Sequence, residues 1–157
     1  MPSQHLFARQ LLLLVAVGLV GCGKSEKQYK DDPALARDMV MTWSLSRRSL
    51  LGGHQTPGLW LLGDGVQVLA AEPSTALYTD LAASNAYAGA LKAAASVTCP
   101  TLLLLGAEDR MLPTSAARPL AEAIAGSATT IVPDAGHYVM VEQPDAVIDA
   151  MADFLAG

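Results

Sequence analysis

Val97-Thr-Cys-Pro-Thr101-Leu-Leu-Leu-Leu105-Gly106-Ala-Glu-Asp109 and Ala128-Thr-Thr-Ile-Val132-Pro-Asp-Ala-Gly136-His137 decide how this chain is built. In the first, a short polar lead runs into four consecutive leucines and stops at Gly106. A continuous apolar run of that length suits a parallel strand buried on both faces. Thr114 to Ala125 reads as a helix, with Leu120 and Ile124 four apart; Pro119 should kink it or delay its start, and Gly126 should end it. Thr129 to Val132 is β-branched and reads as a second short strand. Asp145 to Leu155 closes the chain as a helix with Val147, Ile148, Met151 and Leu155 on one stripe. Strand, helix, strand, helix implies parallel pairing through a right-handed crossover. Functional groups of such sheets collect at the carboxyl ends of the strands. Asp109 follows the first strand and His137 the second, 28 positions later, which leaves room for one crossover helix.

An aspartate that accepts a histidine ring N–H fixes the tautomer and stabilises the imidazolium, so His137 could serve as a general base. Gly106-x-x-Asp109-x-x-x-Pro113, Gly136-His137 and Glu142-Gln143-Pro144 together closely resemble the end of the α/β-hydrolase fold. The resemblance implies Asp109 as the triad acid and His137 as the triad base, in the family's order of nucleophile, acid, base. It implies hydrolysis of an ester, amide or similar bond in a small molecule, with no cofactor and no metal. Asp134 and Glu142 are rival carboxylates near the histidine; Glu142 reads better as a residue that helps start the final helix.

The family also requires a nucleophile elbow, G-x-S-x-G, between a strand and a helix. No serine here has glycine at both flanking positions. Ser25 has Gly23 before it but Lys27 after it, Asp64 has its glycines one place too close, and Asp134 has Gly136 but Val132. The oxyanion loop is missing as well. The expectation is therefore an incomplete α/β-hydrolase fold, α/β in class. Residues 1–30 form a signal-like segment and tether, 31–96 a helical lid-like region, and 97–157 the end of the core. A base without its nucleophile keeps little catalytic power, so a truncated chain of this kind should be inactive alone.

Leu11 to Val20 is ten apolar or glycine residues, too short to span a bilayer as an ordinary helix but of signal-core length. Leu19-Val20-Gly21-Cys22 resembles a bacterial lipobox, which implies lipid on Cys22 and a membrane-anchored lipoprotein module. Alternatively the segment is a buried strand or foreign sequence from a displaced start, and the chain is cytoplasmic. Gly18 to Ser25 also satisfies G-x-x-x-x-G-K-[ST], a phosphate-cradling loop. Against that reading, Asp31-Asp32-Pro33 interrupts the helix that should follow, and Leu102–Leu105 runs into Gly106 rather than an acidic magnesium ligand.

Between these ends, Pro33 to Leu45 reads as a helix capped by Asp32. Ser46 to Gly58 reads as loop, and Leu59 to Ala71 as either a hairpin around Gly63-Asp64-Gly65 or two short helices. Ala76 to Ser96 reads as one helix, with Asp80, Ser84, Asn85 and Tyr87 on a solvated face rather than lining a cavity. Trp43 and Trp60 suit core anchors, His54 a surface loop, and Cys99 a buried thiol.

The 157 residues suit one domain, and 52% apolar against 16% charged composition excludes disorder throughout. A net charge of −5 without a basic patch argues against nucleic acid. Two cysteines and three histidines, scattered, exclude a disulfide framework and a structural zinc. Two parallel strands make a poor sheet with an exposed edge. The purified chain is expected to associate through that edge; a monodisperse, cooperatively unfolding monomer in sedimentation and urea melts would contradict this.

Overall fold

The computed structural model describes residues 31–73 and 75–157. Leu11–Val20, Cys22 and the Gly18–Ser25 loop lie outside them. Helix α1, Pro33–Ser44, starts as its sequence requires: Pro33 occupies the first turn and the Asp32 carboxylate accepts the Leu35 N–H at 3.0 Å. Its inward face carries Ala36, Val40, Met41 and Ser44, all buried. Met41 packs with Leu45 and Leu61, while Val40 packs with Leu81 and Met111 and is edged by Trp43.

Several expectations for residues 31–96 change. The stretch after Ser46 contains a helical turn, α2 (Arg47–Leu50), because the Ser46 hydroxyl caps the Ser49 N–H. Leu61–Ala71 is a single helix, α3, with Gly63, Asp64 and Gly65 inside it. Tertiary packing overrides the turn signal: a Cβ on Gly65 would lie 2.1 Å from Met41 Cε, so the small residue lets α3 settle onto α1. The alanine-rich stretch divides into α4 (Ala76–Ala86) and α5 (Ala90–Ala94), broken where Tyr87 leaves helical geometry. Asp80, Ser84, Asn85 and Tyr87 are exposed. Trp60 is not a core anchor; it is 56% exposed. Cys99 is half-buried rather than fully buried.

The core end follows. Strand β1 (Leu102–Gly106) pairs in parallel with β2 (Ala128–Val132), Leu102 opposite Ala128 and Gly106 opposite Val132. Side chains alternate across the pleat. Leu103 faces Ala94, Leu120 and Ile124, the side covered by α5 and by α6 (Thr114–Ala123). Leu104 faces Val132, Val147 and Met151, the side covered by α8 (Pro144–Ala156). Pro119 sits inside α6 without delaying its start at Thr114. A short helix, α7 (Val139–Glu142), leads into α8, which begins at Pro144. Among the described residues the sheet has these two strands, and no helix is long and apolar enough to cross a membrane.

At the carboxyl ends of the strands the chain segments meet backbone to backbone. A Cβ on Gly106 would lie 2.0 Å from the Gly136 carbonyl oxygen, and one on Gly136 would lie 2.4 Å from the Ser44 carbonyl oxygen. Neither obstacle is a flexible side-chain end, so no rotamer change makes room. Gly106→Ala and Gly136→Ala should each cost about 3 kcal/mol or more in urea unfolding, at the upper end of overpacking penalties.

Candidate active site

Asp109 lies three residues beyond β1, in a turn closed by its own N–H to the Gly106 carbonyl at 3.3 Å. One carboxylate oxygen, Oδ1, accepts the N–H groups of Met111 and Leu112, both at 2.8 Å. This is the habit of an aspartate in a turn, bonding to backbone two and three residues on. The other oxygen, Oδ2, is thereby aimed out of the turn and lies 2.7 Å from His137 Nδ1. The two side chains are 5% and 15% exposed, so the pair sits largely out of water. A hydrogen bond to an ionised group in that setting is worth about 1.5–3 kcal/mol.

His137 reaches this position because β2 ends beside β1 and the loop that follows β2 is pinned. Its N–H donates to the Ser44 carbonyl at 2.6 Å, and the Glu108 N–H donates to the Ala135 carbonyl at 2.8 Å. Asp134 takes a left-handed φ of 53°, tolerable for an aspartate, and turns the chain back. The carboxylate on the histidine is that of Asp109; Asp134 is exposed and its carbonyl accepts from Gln143 Nε2. Tyr138, next in sequence, packs half-buried against the Met41–Leu45–Leu61 cluster, and burial pushes its phenol above the ordinary tyrosine range.

Glu142 does not serve the N-terminus of the final helix. It is 2% exposed, and its two oxygens accept the N–H groups of Gly136 and Ser46. The sequence reading also passes over Glu108, whose carboxylate accepts the Arg47 N–H at 2.8 Å, and over the Ser44 carbonyl. A backbone acceptor leaves no trace in a sequence, and a glutamate that captures amides from a distant segment looks like any other glutamate. His54 is more than a surface residue: Nε2 bonds the Val141 carbonyl at 2.8 Å and Nδ1 accepts the Thr56 N–H, which ties the loop after α2 to α7. An open groove of about 410 Å³ lies beside the site, lined by Arg47, Leu50, Ala107, Glu108, Asp109 and Arg110.

With Nδ1 bonded to Asp109, the histidine donates there and carries its lone pair on Nε2, at the opposite side of the ring. A neutral imidazole held so can take a proton on Nε2, and the adjacent carboxylate stabilises the cation that results. Asp109→Asn keeps the turn if its amide oxygen takes over the Met111 and Leu112 bonds, but it presents an NH2 to the ring. Imidazole ¹⁵N shifts should then report the Nε2–H tautomer in place of Nδ1–H, with about 1–3 kcal/mol of stability lost in denaturant melts.

The model of the alpha/beta hydrolase family matches residues 5–150. RutD of Caulobacter sp. (strain K31), provisionally named a carbamate hydrolase, is 36% identical over 62 residues, which is 40% of this chain and 23% of that protein. The enol-lactonase of Burkholderia xenovorans LB400 superposes with a TM-score of 0.70 at 22% identity, covering 84% of this chain and 49% of that one. A thermophilic esterase from Thermogutta terrifontis gives 0.68 at 21% identity, covering 83% and 47%. The chain thus spans about half the length of these solved structures and under a quarter of RutD. With two parallel strands delivering an aspartate and a histidine to one another, and a family match over most of its length, this chain belongs to the alpha/beta hydrolase family.

Proposed function

We propose that this chain carries the acid and base of a serine-hydrolase centre. Asp109 orients and charges against His137, and His137 shuttles the proton during hydrolysis of an ester- or amide-type bond in a small molecule. The observation that carries this reading is the 2.7 Å contact from Asp109 Oδ2 to His137 Nδ1, made by a carboxylate whose other oxygen is already held by its own turn. The substrate class draws support from relatives named for a carbamate, a lactone and an ester, which share an acyl carbon bonded to oxygen or nitrogen. Attack on such a carbon needs a nucleophile, and the sequence holds no G-x-S-x-G. The nucleophile would therefore come from protein outside these 157 residues, whether encoded upstream or separately.

Two readings of the first thirty residues stand on the sequence alone: lipid on Cys22, and nucleotide on Gly18–Ser25. An unmodified Cys22 in the mature protein would remove the first, and no binding of ATP with magnesium at millimolar concentration would remove the second.

For the hydrolase reading, the upstream DNA is read in all frames and the segment found there is produced together with this chain. The chain alone should hydrolyse p-nitrophenyl esters no faster than free imidazole and take up no fluorophosphonate. The joint product should be labelled on an elbow serine, and His137→Ala or Asp109→Asn should lower its turnover by roughly 10³ to 10⁴-fold. Absence of an elbow upstream, or turnover indifferent to His137, would refute the assignment.

A further inference from the structure

Glu142 is 2% exposed, and among the described residues no cation pairs with it. A buried carboxylate without a counter-ion is costly unless hydrogen bonds to its charged form compensate. Here those bonds come from two amides that lie far apart in sequence. Oε1 accepts the Gly136 N–H at 2.7 Å, and Oε2 accepts the Ser46 N–H at 2.8 Å. Gly136 immediately precedes His137, whose own N–H donates to Ser44, two residues before Ser46. The histidine loop and the α1–α2 junction are thus joined in two ways: directly, by the His137 and Tyr138 N–H groups on the Ser44 carbonyl, and through Glu142. Only a carboxylate does this. An amide offers one acceptor and one donor group, so glutamine would set its NH2 against one of the two N–H groups.

We infer that Glu142 is a positioning residue: it clamps Gly136 to Ser46 and so holds His137 Nδ1 on Asp109. The inference rests on the reading of His137 as the base, but its test observes the imidazole without substrate and can fail independently of any hydrolysis. In the full chain, the proton shared by His137 Nδ1 and Asp109 should give a far-downfield ¹H resonance. Glu142→Gln should unfold cooperatively yet lose that resonance, or exchange it with solvent faster by about tenfold, the factor for one weakened charge-assisted hydrogen bond. Leu120→Ala, in the cluster under α6, is the control for stability loss and should keep the signal. An unchanged resonance in Glu142→Gln, or an equal loss in Leu120→Ala, would overturn the inference. Should the glutamine variant fail to fold, Glu142→Asp is read the same way; it keeps the charge but is one methylene too short to serve both amides. In the unaltered chain the Gly136 and Ser46 amides should exchange as slowly as those of β1. Exchange at the rate of an open loop would also sink the clamp.

Discussion

The backbone contact between Gly106 and Gly136 sets the distance on which everything at this end of the sheet depends. Where β1 ends, a Cβ would run into the Ala135 and Gly136 carbonyls; one residue past Ala135, a Cβ would run into the Ser44–Ser46 backbone. Three chain segments are stacked there with no side chain between them. Only because they are that close do the Glu108 N–H reach the Ala135 carbonyl and the His137 N–H reach the Ser44 carbonyl. The Asp109–His137 bond is a consequence of this stacking as much as of the two side chains.

The two halves of the pair are held by different physics. Asp109 is fixed locally: its Oδ1 satisfies two amides of its own turn, so the carboxylate has one oxygen committed before the histidine arrives. His137 is fixed from a distance, by the Ser44 carbonyl and by Asp109 itself. A local aspartate turn is robust to changes elsewhere. A histidine held by non-local bonds inherits every displacement of the elements that carry them, here the α1–α2 junction.

That junction also ties the helical stretch to the strand-end loops. Ser44, Ser46 and Ser49 are all buried there, and each satisfies its polar groups nearby or across the interface. The helical stretch therefore packs directly on both loops at the strand ends. Its Met41–Leu45–Leu61 cluster takes in Tyr138 from the histidine loop, and Val40 and Leu81 take in Met111 from the aspartate loop. Each site loop leans on a different hydrophobic cluster of the helical region.

Local chemistry in the sequence determined a good deal. Four leucines ending at Gly106 and the Asp32–Pro33 cap act over a few residues, and each marks its element without coordinates. The strand is nevertheless less enclosed than its run of leucines suggests, with Leu103, Leu104 and Leu105 half-buried. The spacing of Asp109 from His137 leaves room for one crossover helix, and α6 fills it. What tertiary structure alone decided lies where distant segments touch. Gly63-Asp64-Gly65 carries a turn signal, yet Met41 packs over it and keeps the helix intact; Ala76 to Ser96 has helical composition, yet the chain breaks at Tyr87. Glu142 looks like a helix-start residue because the amides it captures belong to residues 46 and 136. Propensity and spacing describe a residue's neighbours along the chain, whereas a buried carboxylate is governed by its neighbours in space.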